Sequence, residues 1–126
     1  MILHTPRLLL RPLTAADAPA LTAYRRLPEV ARYQSWSTFD EDDAAALIAA
    51  QAAAVPDAPG RWLQRALVES ASGALVGDCG IHFLADDPRQ VELGITLAPS
   101  HQGKGLAAEA LTAVLAHLFG TLQSTA

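Results

Sequence analysis

At 126 residues, with 51% apolar and only 17% charged side chains, the chain fits one globular domain and falls outside the disordered class. Nine Lys and Arg against 13 Asp and Glu leave a net charge of −4, so the surface has no general attraction for polyphosphate and a nucleic-acid partner is not expected. The single cysteine, Cys79, excludes an internal disulfide and a cysteine-based zinc cluster, and it suits a reducing cytoplasm.

Met1 to Leu13 carries Arg7 and Arg11 around a short apolar run, without the basic start, long apolar core and small-residue cleavage site of a secretory signal. Leu8 to Leu10 predict a first strand of about six residues that Pro12 stops. Thr14 then caps a helix to about Arg26, with Asp17 as the acid of a capping box and Leu21 and Tyr24 on the buried side; Leu27-Pro28 ends it. Thr38 followed by Glu41 predicts a second capping box, and Asp40, Asp42 and Asp43 suit the positive end of the helix dipole. That helix runs through an alanine-rich stretch to about Val55. This longest apolar stretch is interrupted by Gln51 and is shorter than the ~20 residues of a membrane span, so no membrane partner is expected.

From Trp62 the pattern turns extended. Trp62 to Val68 and Leu75 to Phe83 predict a hairpin across Glu69 to Gly73, and Val91, Leu93, Ile95 and Leu97 alternate with Glu92, Gly94 and Thr96 on a further strand. Between Lys104 and about Phe119, residues Ala107, Leu111, Val114, Leu115 and Leu118 fall on one helical stripe, with Gly120 as the expected C-cap. Strand, two helices, three antiparallel strands and a helix make the class α+β, with the first two helices and the last on opposite faces of one sheet.

The segment that carries chemistry is His101 to Ala107, between a strand and an amphipathic helix. Gly103 and Gly105 bring bare backbone N–H groups to a helix start, where unpaired donors and the dipole favour an anion such as phosphate. The nucleoside-triphosphate P-loop spacing is missing, and the preceding strand belongs to an antiparallel meander rather than a dinucleotide fold. The same spacing also serves a plain strand-to-helix turn that uses glycine only for backbone freedom.

Gln102-Gly103-Lys104-Gly105-Leu106-Ala107 resembles the Gln/Arg-x-x-Gly-x-Gly/Ala motif of the GCN5-related N-acetyltransferases, and Glu109-Ala110-Leu111 is similar to their RimJ/RimL-like branch. Three other stretches resemble that branch in the same order: Thr5 to Arg11, Leu75 to Ile81, and Val91 to Ile95. The resemblance implies acetyl-CoA as cosubstrate, with its pyrophosphate on the backbone N–H groups of Gln102, Gly103, Lys104, Gly105, Leu106 and Ala107. Its pantetheine would pair like an added strand beside Ile95, Thr96 and Leu97, with Gly94 marking a bulge or splay. Lys104 adds charge near a phosphate or is simply solvated. Glu92, alternating away from the apolar face, is the base candidate, acting through a water on an amine. Trp36 would line an acceptor pocket in the family layout, although as an isolated aromatic it reads as core. His4, His82, His101 and His117 read as packing or solvent residues, and Cys79 as packing rather than a nucleophile. No metal is expected.

The implied reaction is acetyl transfer to a primary amine, with a protein N-terminal α-amine as the first acceptor class and small amines as the second. The family pattern continues beyond this helix with further strands, a cofactor-contacting helix and an acid for the departing thiolate, whereas this sequence ends at Ala126. The expectation is therefore one domain, 1–126, that is C-terminally shortened. It would act either as an enzyme completed by another subunit or as a CoA-binding remnant. A homodimer is expected, covering the open strand edge and an exposed part of the Leu111, Leu115 and Leu118 stripe.

Overall fold

In a computed structural model, residues 2–31, 38–52, 62–83 and 91–124 are described. Five strands form one sheet in chain order, every neighbouring pair antiparallel: β1 (Leu3–His4), β2 (Leu8–Pro12), β3 (Trp62–Glu69), β4 (Leu75–Phe83) and β5 (Val91–Leu97). The helices are α1 (Ala18–Arg25), α2 (Pro28–Ala31), α3 (Glu41–Ala52) and α4 (Leu106–Ser124), with single 3-10 turns at Ala15–Asp17 and Pro99–His101.

Period-two alternation sorts the strand residues between two apolar layers. Leu8, Leu10, Leu63, Leu67, Cys79, Ile81 and Leu97 pack with Leu106, Ala110, Val114 and Leu118 of α4. On the other face, Ala66 and Val68 meet Leu21 and Tyr24 of α1 and Ala44 and Ile48 of α3. The expected placement of α1 and α3 opposite α4 is what the chain adopts. Both layers are anchored by fully buried aliphatic side chains, each worth roughly 1.5 to 3 kcal/mol against exposure.

Several local expectations are corrected. A short strand, β1, precedes the first one read from sequence and pairs Leu3 with Leu10. The first capping box forms as expected, the Thr14 N–H donating to the Asp17 carboxylate at 2.7 Å, but it opens a 3-10 turn before α1 begins at Ala18. At α3 the box is shifted by two residues. The Asp40 N–H donates to Asp43 Oδ2 and the Asp43 N–H to Asp40 Oδ1, both at 2.9 Å, because an aspartate at the N-cap accepts as well as a threonine.

No bulge falls at Gly94, whose pairing with Gly80 lies in an unbroken register from Gly77↔Leu97 to Phe83↔Val91. The irregularity is on the other side of β4, where Leu67 pairs with Gly77 but Val68 with Leu75, so the buried Val76 is the extra residue. Helix α4 continues through Gly120, since one glycine costs only about 1 kcal/mol against alanine and nothing that stops a helix follows it. Its buried stripe is Leu106, Ala110, Val114 and Leu118, a four-residue ridge. Leu118 is therefore covered, Leu111 is half-buried, and only Leu115, 37% exposed, faces water as expected.

Candidate active site

The end of β5 is held on one side by β4 and then bent by Pro99. The Ala98 N–H donates to the Val76 carbonyl at 2.9 Å, and the 3-10 turn closes with the His101 N–H on Ala98 O, also 2.9 Å. Gln102 then turns back, its Nε2 donating to the Leu97 carbonyl at 3.1 Å. The motif glutamine thus fastens the turn to the last residue of the strand through its side chain.

Gly103 and Gly105 follow with φ of 77° and 79°, the left-handed region that side-chain-bearing residues rarely enter. A Cβ at Gly103 would meet nothing, so backbone conformation alone calls for glycine there. The N–H groups of residues 103–107 make no hydrogen bond of good geometry among the described residues. That of Gln102 is committed to Pro99 O at 3.2 Å, so the expected row of donors begins one residue later, at Gly103. Lys104, exposed, stands between the two glycines.

Glu109, in the first turn of α4, is tied to the segment before β2. It accepts hydrogen bonds from the Thr5 hydroxyl, from the Arg7 N–H at 2.9 Å and from Arg7 Nε at 2.8 Å, while Arg7 Nη1 donates to the Lys104 carbonyl at 2.9 Å. The Thr5 hydrogen bond, then those of Arg7, hold the Glu109 carboxyl below the usual carboxylate range. Sequence reading singled out both stretches and missed their contact, which brings together residues about a hundred positions apart.

On β5, Leu93 and Ile95 pack toward α4, and Leu97 is buried there. Glu92 lies on the opposite face with its side chain 60% exposed, and its cross-strand partner is His82, Nδ1 to carboxylate 3.7 Å. Thr96 is buried on that same face opposite Asp78. Among the described residues the outer edge of β5 has no strand beside it. His82 and His101, expected as packing or solvent residues, each have an acidic neighbour, His101 Nε2 lying 3.8 Å from Glu69. Trp36 lies outside the described residues.

Beneath the sheet, Asp78 accepts hydrogen bonds from the Tyr24 hydroxyl and from Arg25 Nη2 at 2.6 Å, a buried cluster that sequence reading did not anticipate. Burial, reinforced by Asp78, pushes the Tyr24 phenol well above its ordinary value. Burial first, then the charge of Asp78, pushes the Cys79 thiol up to about 12, which leaves it without a thiolate and fits its reading as packing. Among the described residues no three His, Cys, Asp or Glu side chains gather as metal ligands. No described helix is long and apolar enough to cross a membrane.

A family model described as an acetyltransferase (GNAT) domain matches residues 7–126. Among curated proteins, the uncharacterized N-acetyltransferase YoaA of Bacillus subtilis (strain 168) is 32% identical over 123 residues, 96% of this chain and 68% of that protein. Among solved structures, a GNAT-family acetyltransferase from Bacillus anthracis superposes with a TM-score of 0.81 at 23% identity, over 98% of this chain and 69% of that one. The ribosomal L7/L12 alpha-N-protein acetyltransferase RimL, solved in complex with coenzyme A, has a TM-score of 0.72 at 16% identity, over 93% of this chain and 67% of that one.

Proposed function

We propose, from the premise that this chain belongs to the GNAT acetyltransferase family and so is an acetyl-CoA-dependent N-acetyltransferase, that its acceptor is a protein N-terminal α-amine and its diphosphate site the turn 103–107. The observation that carries the site is the run of unbonded N–H groups at 103–107, held in place by two left-handed glycines at the start of a long helix. The acceptor class is supported by the RimJ/RimL-like motifs and by the fold shared with a protein α-amine acetyltransferase.

Acetyl-CoA supplies a thioester: the amine nitrogen forms the amide C–N bond as the C–S bond breaks, and the sulfur leaves to be protonated as the thiol. The residues of this chain bind and move protons around that exchange. The open edge of β5 at Ile95 to Leu97 offers backbone groups to the amides of the pantetheine arm. Through a water, Glu92 takes a proton from the acceptor ammonium, which frees the neutral amine to attack. A terminal α-amine, with a pKa of about 7.7 to 8.0, asks far less of that base than a lysine near 10.4. The first half of the same β5 edge is where a second copy of the chain would pair, giving a homodimer. The buried free thiol of Cys79 suits the cytoplasm.

Calorimetric titration with CoA tests the site. Gly105→Glu places a carboxylate at the turn and a side chain in a left-handed position, and the loss of two phosphate hydrogen bonds, at roughly 1.5 to 3 kcal/mol each, weakens binding at least tenfold. Equal affinity in the variant would remove the turn from the site. A thiol-release assay over N-terminal peptides and small amines identifies the acceptor, and rates confined to small amines would overturn the choice of protein N-termini. In the same assay Glu92→Gln lowers turnover and shifts its pH dependence while CoA affinity holds; unchanged rates from about pH 6 to 9 would leave Glu92 a solvated strand residue.

A further inference from the structure

We infer that Arg7 is a positioning residue for the diphosphate turn, aiming the Gly105 N–H by holding the carbonyl of the same peptide; the inference rests on reading 103–107 as that site. The peptide between Lys104 and Gly105 is planar and trans, so its C=O and N–H point in opposite directions. Its plane is set by ψ of Lys104 and φ of Gly105, and Gly105, at φ 79°, has few steric limits of its own, so an outside contact is needed to fix it. Arg7 Nη1 does so by hydrogen-bonding the Lys104 carbonyl at 2.9 Å, which turns the Gly105 N–H to the side away from Arg7.

The guanidinium is itself fixed. Its Nε is bonded to Glu109 at 2.8 Å, and its own backbone is held on both sides, the N–H by Glu109 at 2.9 Å and the carbonyl by the Ser70 N–H at 2.9 Å. Arg7 Nη2 stands 3.5 Å from where a Cβ of residue 105 would sit, so the guanidinium lies against the turn. A side chain 48% exposed and paired with one carboxylate contributes little to global stability, yet this one joins the carbonyl, the helix start and the β2 entry at a single point. An arginine is required because only its planar fork reaches two acceptors at once.

Arg7→Gln tests this with ligands that do and do not carry the diphosphate. Its CoA dissociation constant should rise about tenfold, the acetyl-CoA KM rising with it while kcat holds, pantetheine binding should stay as in the parent, and the melting temperature should fall by no more than a few degrees. Arg7→Lys, which keeps one donor, should recover part of the loss. In glycine-labelled protein without ligand, the Gly105 amide resonance should shift or broaden in Arg7→Gln while Gly80 of β4 does not. An unmoved Gly105 resonance, unchanged CoA affinity or an equal loss for CoA and pantetheine would overturn the inference. Failure of the parent protein to bind CoA would instead overturn the site reading, with the amide result still deciding whether Arg7 orients the turn.

Discussion

Arg25 closes α1 with its guanidinium under the sheet, bonded to Asp78, flanked by the Tyr24 hydroxyl and lying 5.1 Å from the centre of the Phe39 ring. Two charges taken out of water need each other more than the fold needs either. Asp78→Ala, which removes the carboxylate from the buried ion pair, should cost roughly 3 to 5 kcal/mol in urea denaturation, whereas Tyr24→Phe, which removes one donor, should cost about 1 kcal/mol. Next to Asp78, the buried Cys79 should resist alkylation at neutral pH and react only after unfolding. None of this trio's pairing was legible in the sequence. Asp78 stood in a quoted family stretch, but its partners lie 54 and 53 residues earlier, and no periodicity links positions that only packing brings together. Glu92 was readable for the opposite reason, since alternation along its own strand fixes which way it faces.

Elements were more legible than contacts wherever the signal was local. Leu75–Phe83 and Val91–Leu97 are the strands that alternation and turn residues predict, end to end. The shift of the α3 cap from Thr38 to Asp40 and the continuation of α4 past Gly120 have a common cause: acceptors and glycines permit an end to a helix without compelling one. The misplaced bulge is instructive too. Gly94 suggested it, yet a Cβ there would meet nothing, while a Cβ on Gly77 would come within 2.3 Å of the Thr96 carbonyl oxygen. Gly77 is therefore the glycine on which the β4–β5 pairing depends. Gly77→Ala should force the two strands apart and abolish cooperative unfolding or lower the melting temperature sharply, whereas Gly94→Ala should change it little. Gly103→Ala, which meets no neighbour, should cost only about 1 to 2 kcal/mol through its left-handed backbone.

Across the whole molecule, the two-layer arrangement was foreseeable from element order and so was the exposure of Leu115, but the burial of Leu118 was not, because the buried ridge runs through Leu106, Ala110 and Val114 to Leu118 rather than along the predicted Ala107–Leu111–Leu115 line. Stability should bend at both ends of the pH scale. Burial works to raise the Asp17 carboxyl, but hydrogen bonds from Arg11 and Thr14 outweigh it and hold it low; Glu109 is also low. Depressed acids stabilise the fold above their unfolded pKa values, so this contribution is lost as pH falls below about 4. The raised Cys79 thiol acts in the other direction, its contribution fading from about pH 8.5 as the unfolded thiol ionises first, up to its own value of about 12. Urea midpoints should therefore form a plateau between roughly pH 5 and 8 that slopes away on either side. A monomer in light scattering would remove the proposed partner from the β5 edge.

The clamp from Thr5 and Arg7 onto Lys104 and Glu109 also has a history in time. It spans 97 to 104 residues of chain, so the loop it closes is nearly as long as the molecule, and it gains nothing until the sheet and α4 have docked. The turn at 103–105 should then be among the last features to assemble and the first to loosen. Stopped-flow measurements on Glu109→Gln should show faster unfolding with an unaltered folding rate, the mark of a contact absent from the transition state. Binding would thus become possible only once every other layer is in place.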